Sequence, residues 1–338
     1  MTGLSDTFNR PINYLRISVT DRCNLRCTYC LPAEGTRLLP HSEILTYEEI
    51  ATIANLAAEL GINKLRLTGG EPLVRANLPQ LVAMLAEIST IDDISLTTNG
   101  ILLKEYASEL KQAGLKRVNV SLDSLRQDKF ERITRHRKLS EVLQGIEVAK
   151  ACGLSPVKIN MVVMRGINDD EIADFANLTI AEGWHVRFIE LMPFATENPP
   201  EGHSTAGKTN LHPQFMPAEE IKERLSNLGE LEPCLPITGN GPAKYFRFPH
   251  ATGTVGFITP ISQHFCFNSN RLRLTAEGKL RPCLLSDDEI DLRQPLRDGA
   301  PPEKLKQVIT EAIHQKPGSH HLSQEPGPKK RFMSQVGG

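Results

Sequence analysis

The chain has 338 residues, of which 40% are hydrophobic and 23% charged, so it can bury a sizeable core without disulfide staples and is too apolar for a disordered chain. Thirty-nine Lys and Arg against forty Asp and Glu leave a formal net charge of -1, which argues against a broadly basic nucleic-acid-binding surface but leaves local basic sites open. Seven cysteines exclude a fully paired disulfide framework. With no signal-peptide pattern and no long apolar run, the expected setting is cytoplasmic, off the membrane, with reduced thiols.

The length suggests about two domains. In chain order, residues 14–20 read as a strand, and residues 46–60 as an amphipathic helix with a Thr46/Glu49 capping box and Gly61 at its stop. The pairing then repeats: strand 64–69 with helix 78–88, 93–99 with 102–114, 117–124 with 140–153, 157–164 with 169–183, and a last strand at 185–192. A sixth helix is expected at 217–229. Repeated βα units imply an α/β fold with a parallel sheet, and a doubly wound sheet and a barrel both satisfy the pattern. Six units are too few for a full eight-stranded barrel, so a partial, open barrel is the natural compromise, with site residues at the C-terminal ends of the strands. The expected division is a barrel at 1–192, a long loop rich in Pro, Gly and Ser at 193–217, a C-terminal module at 218–314 and a flexible tail at 315–338 ending in Gly337-Gly338.

Cys23, Cys27 and Cys30 form C-x3-C-x2-C directly after the first strand. Seven cysteines in 338 residues would place three at such fixed positions about 0.003 times by chance. Three thiolates on one loop suit a soft metal or an iron–sulfur cluster, and three ligands for a four-iron cluster leave one iron open. A zinc site with a distant fourth ligand and plain loop thiols are the alternatives.

The segment LRISVTDRCNLRCTYC, followed by Gly69-Gly70-Glu71-Pro72 after the second strand, strongly resembles the radical S-adenosylmethionine (SAM) superfamily. The resemblance narrows further. KLRLTGGEPLVR, LTTNG, VNVSLDSL, KINMVV, ELMP, ISQHFC, NRLRLTAEGKLRPCL and RFMSQVGG are similar to the GTP 3′,8-cyclase family, which opens molybdenum cofactor biosynthesis. The resemblance implies an incomplete (βα)6 barrel closed laterally by a C-terminal α+β module. It implies a [4Fe-4S] cluster that binds SAM, whose adenosyl radical takes a ribose hydrogen from GTP, and the ribose C3′ then attacks guanine C8.

Residue by residue, the resemblance makes Cys23, Cys27 and Cys30 the cluster ligands and Tyr29, Gly70, Ser121 and Met192 the SAM contacts. Arg16, Arg66, Thr97, Lys158, Arg271 and Arg273 match GTP contacts, the last two counted with the catalytic set. It further implies an electron donor of flavodoxin or ferredoxin type, a downstream cyclic pyranopterin monophosphate synthase, a possible homodimer and a terminal Gly-Gly that enters the active site. Basic side chains on three different strands independently suit a buried polyanion site, although any one alone is as readily a surface residue.

One position departs from the pattern. The family's second cluster takes three cysteines in C-x2-C-x13-C. Here Cys266 and Cys283 stand at the outer positions with Ser269 between them. A hydroxyl loses its proton far less readily than a thiol and is a hard ligand. A serine-ligated labile cluster, an absent cluster and a cloning substitution all remain open. Cys152 and Cys234 read as incidental thiols, and His320-His321 as part of a solvated tail. The competing functional readings are another radical SAM enzyme, a nucleotide-binding pseudoenzyme and a zinc-stabilised scaffold.

Overall fold

The computed structural model describes residues 4–194, 212–239, 241–320 and 331–337. Most of the expected 193–217 loop, together with His321 and Gly338, lies outside the described residues. Six parallel strands run in sequence order: β1 (Tyr14–Ser18), β2 (Lys64–Thr68), β3 (Asp93–Thr98), β4 (Arg117–Ser121), β5 (Lys158–Val163) and β6 (His185–Glu190). Helices α1 (Tyr47–Glu59), α2 (Leu78–Ala86), α3 (Leu103–Gln112), α4 (Gln127–Thr134), α5 (Leu139–Ala151) and α6 (Ile172–Ala181) connect them. The Thr46/Glu49 capping box is present, with each side chain accepting from the other's backbone N–H.

The C-terminal part adds α7 (Ala218–Leu225), β7 (Glu232–Cys234), β8 (Lys244–Arg247), β9 (Thr254–Ile258), β10 (Arg271–Leu274), β11 (Lys279–Arg281), β12 (Ile290–Asp291), α8 (Arg293–Arg297) and α9 (Pro302–His314). It meets the barrel at both edges. β9 pairs parallel with β6, and β10 pairs parallel with β1. The parallel run is therefore eight strands long, and antiparallel pairs extend it at each end. Among the described residues β9 and β10 do not pair, so the barrel stays open.

Alternation along the strands sorts the two faces. Leu15, Ile17, Leu65, Leu67, Ile94, Leu96, Val118, Val120, Ile159 and Phe188 point outward and are buried beneath the helices. Tyr14, Arg16, Arg66, Thr97, Ser121, Lys158 and Arg187 point inward and line a cavity. The long apolar face makes this sheet stable, while the polar face makes it a site.

Buried Glu190, at the end of β6, ties the two parts together. It accepts hydrogen bonds from the backbone N–H groups of Ala218, Ile261 and Ser262, each at 3.0 Å, and from the Ser262 hydroxyl. Among the described residues no helix is long and apolar enough to cross a membrane.

Candidate active site

All sixteen residues singled out from the sequence line one cavity inside the barrel. The strand register explains why. Arg16 stands beside Arg66 on one side and Arg273 on the other, and Tyr14 stands beside Arg271. Ser95 links Arg66 to Arg117, Asn119 links Thr97 to Lys158, and Asn160 links Ser121 to Arg187. Residues hundreds of positions apart become neighbours because parallel pairing aligns them.

One end of the cavity holds the cysteine loop. The Leu25 N–H lies 3.4 Å from the Cys23 sulfur, and the Cys27 carbonyl accepts from Cys30 and Leu31 N–H. Burial pushes the Cys23 thiol up to about 11 and the Cys30 thiol up to about 12, with Cys27 also well above its ordinary value. Proximity of the three sulfurs adds to this. Half-buried thiols this hard to ionise ask for a bound cation, and a positively charged iron cluster supplies one. Three ligands of a cluster bind three separate irons, so they need not converge on a single point. The donor set fits the [4Fe-4S] group, with the three cysteines as its holders.

The glycine turn packs against this loop. Gly70 N–H donates to the Thr20 carbonyl and Glu71 N–H to the Arg22 carbonyl, each at 2.8 Å. A Cβ on Gly70 would sit 2.3 Å from the Arg22 oxygen, and one on Gly69 would sit 2.6 Å from the Thr20 oxygen. Only glycine allows the two backbones this close. Glu71 is buried and accepts from the Leu73 and Asn99 N–H groups and the Thr98 hydroxyl, yet burial still raises its carboxyl to about 7. Tyr29 donates to buried Asp123 at 2.8 Å, and burial raises that carboxyl to about 6 from an ordinary 3.8.

The other end is basic. Arg16, Arg66, Arg117, Lys158, Arg187, Arg271 and Arg273 all line the cavity. Lys158 is 2% exposed. Burial, with Arg187 and Arg117 nearby, pushes its ammonium down to about 6. Burial and Arg271 push Arg273 down to about 9, and burial holds Arg187 and Arg271 at about 10. Arg117 is paired with Asp93, while the Nε and Nη2 of Arg187 have no hydrogen-bond partner among the described residues. Repelling cations in a buried wall need an anion to settle them.

The sequence reading singles out neither Arg117 and Arg187 nor Tyr14 and Asp123, and it takes Glu71 only as part of the Gly69–Pro72 turn. Their signal is inward alternation: Arg117 lies two residues before Asn119 on β4, and Arg187 two before Ile189 on β6. The sequence presents each simply as a charge inside a strand.

Cys266, Ser269 and Cys283 also line the cavity, beside Arg271 and Arg273. A short turn at 266–268 brings Ser269 N–H to the Cys266 carbonyl at 3.1 Å. Burial raises the Cys266 thiol. Two thiols and a hydroxyl do not match the three-thiolate set of a [4Fe-4S] cluster. The His320 side chain reaches the Pro260 carbonyl at 2.8 Å and borders the same cavity, where a solvated tail was expected. From the described 331–337 segment, Met333 and Ser334 line the cavity too. Met333 and Val336 pack with Phe194, Cys30 and Met192, and the Gly337 carbonyl accepts from Arg16 at 2.8 Å.

Comparisons with known proteins agree with this layout. Residues 17–179 match the Radical SAM superfamily model, and residues 184–322 match the model described as Molybdenum Cofactor Synthesis C. The chain is 54% identical to the GTP 3′,8-cyclase of Moorella thermoacetica across 99% of this chain and 100% of that protein. It is 53% identical to the GTP 3′,8-cyclase of Desulforamulus reducens across 98% of this chain and 99% of that protein. Among solved structures, Streptococcus suis SuiB shares the fold at a TM-score of 0.59 and 15% identity, over 85% of this chain and 65% of that chain. SuiB bound to the precursor peptide SuiA gives 0.58 at 13% identity, over 97% of this chain and 77% of that one. The chain thus spans somewhat under two thirds of the first SuiB structure, and that likeness speaks for fold alone. The chain belongs to the GTP 3′,8-cyclase family of the radical SAM superfamily.

Proposed function

We propose that this chain cyclises GTP to 3′,8-cyclo-7,8-dihydro-GTP, the first step of molybdenum cofactor biosynthesis. The observation that carries the reading is the single cavity with two opposite ends: three half-buried cysteines beside a glycine turn at one, and seven basic side chains at the other. When bound, the cluster of Cys23, Cys27 and Cys30 supplies the electron that cleaves SAM to a hydrogen-abstracting adenosyl radical. The backbone of Gly70, with Tyr29, Ser121 and Met192, orients SAM. Asp123 fixes the Tyr29 ring by accepting its hydroxyl hydrogen.

Arg16, Arg66, Lys158, Arg271 and Arg273 hold GTP, joined by Arg117 and Arg187, with Thr97 level with Lys158 across Asn119. A nucleoside triphosphate supplies the negative charge that this wall lacks, and the barrel excludes water around it. GTP binding through these residues does not depend on a second cluster. The reconstituted chain is expected to hold about four irons, and Ser269→Cys about eight. About eight in the unaltered chain would show that Ser269 serves as a ligand.

The deciding experiment is anaerobic incubation with SAM, GTP and a low-potential reductant, scoring 5′-deoxyadenosine and the cyclised nucleotide. Deoxyadenosine without cyclised nucleotide would favour a different radical SAM substrate, and neither product would favour a pseudoenzyme. An electron donor of flavodoxin or ferredoxin type, a downstream cyclic pyranopterin monophosphate synthase and a homodimer belong to the same proposal. So does the division into barrel, loop, module and tail.

A further inference from the structure

Tyr14 begins β1 and is 3% exposed, and its ring lines the basic end of the cavity. It lies between two cations: the guanidinium of Arg66 is 5.6 Å from the ring centre and that of Arg271 is 5.7 Å. Its hydroxyl has no hydrogen-bond partner among the described residues. A buried phenol left in this state is costly, and Tyr normally finds a partner for its O–H.

The neighbours explain the vacancy. Arg66, Arg16, Arg271 and Arg117 are the charges acting on the phenol. A guanidinium carries N–H donors and no acceptor, so it can take nothing from an O–H. The hydroxyl thus faces a wall made of donors. Only a guest rich in acceptor oxygens satisfies it. The same cations overcome the effect of burial and leave the phenol more acidic than usual, which strengthens it as a donor.

We infer that Tyr14 is a substrate-binding residue whose hydroxyl donates a hydrogen bond to a phosphate oxygen of the bound nucleotide. Its ring meanwhile keeps Arg66 and Arg271 apart for the same polyanion. This rests on the GTP-binding reading above and adds a contact of a different kind to it. The basic residues attract charge, whereas Tyr14 rewards an oxygen at one position. A polyanion that fills the site without placing an oxygen there leaves the O–H orphaned.

The test compares Tyr14→Phe with the unaltered chain by isothermal titration, using GTP and inorganic tripolyphosphate as separate probes. Removing the hydroxyl should weaken both about tenfold, since a hydrogen bond to a charged oxygen is lost. The ligand-free variant should melt at the same temperature or higher, because an unsatisfied buried group has been removed. A purely structural tyrosine would move the other way, with the ligand-free variant melting lower. Unchanged affinity for both probes overturns the inference while leaving GTP binding intact. So does a loss confined to GTP, which would move the contact to the nucleoside. If the unaltered chain binds neither probe, the GTP reading itself fails and this contact with it.

Discussion

Lys158 shows how a cavity wall can store its function as an unfavourable state. Its ammonium is buried among like charges and held at about 6, so at neutral pH it is largely uncharged until an anion arrives. A bound triphosphate favours the charged form and raises the value. Binding should therefore take up a proton between pH 6 and the higher value of the complex. Because the complex holds more protons than the free protein, affinity falls as pH rises through that window. Calorimetry at pH 8 in buffers of different ionisation heat should show uptake approaching one proton, and Lys158→Met should abolish it. Equal uptake by both proteins would place the titrating group elsewhere. Gly70 is the opposite kind of residue, fixed by space rather than charge. Gly70→Ala puts a methyl 2.3 Å from the Arg22 oxygen and so must displace the cysteine loop. SAM affinity should fall at least tenfold, measured by equilibrium binding to the reconstituted protein. The motif made both residues visible in the sequence, but only the folded strands show why Lys158 is hard to charge.

At the level of elements, the parallel strands were legible because each carries a short apolar run followed by a helical period. The capping box of α1 was legible for the same local reason. α4 was not, although Phe130 and Ile133 bury one of its faces, because QDKFERIT is short and half charged. The pairing of β9 with β6 and of β10 with β1 was hidden as well, since no local pattern records which edge a distant strand will choose. Glu190 holds one of those junctions. It accepts three backbone N–H groups from two segments of the C-terminal part. Glu190→Ala leaves all three without that partner. At about 1 kcal/mol or more for each buried orphan, the cost should reach at least about 3 kcal/mol, seen as a lower urea midpoint. A loss below about 1 kcal/mol would mean that water replaces the carboxylate.

Across the whole molecule, segments far apart in the chain meet in the cavity, β1 on one wall and residues 331–337 against it. Arg331 anchors the segment by pairing with Glu277 and Glu289. Beyond it, Met333 and Val336 pack against the cysteine loop side, and Gly337 reaches Arg16 on the basic side. The segment therefore touches both ends of the cavity within seven residues. Its composition reads as tail in the sequence, and only its RFMSQVGG resemblance hints at the cavity. Gly337 also sits where a side chain would crowd: it has a φ of +81°, and a Cβ there would lie 2.9 Å from the Thr68 methyl carbon. Removing Gly337 and Gly338 keeps the Arg331 anchor and the packing of Met333 but frees Arg16 from its carbonyl partner. On the proposed GTP-binding reading, Arg16 is then no longer held by that carbonyl where the nucleotide would sit. The truncated protein should still cleave SAM, because the cysteine loop and the glycine turn are untouched, while the cyclised nucleotide disappears. Scoring both products in one anaerobic reaction separates the two effects. Undiminished cyclisation would reduce the terminal glycines to a plug, and loss of both products would mean that the segment holds the cysteine loop itself in place.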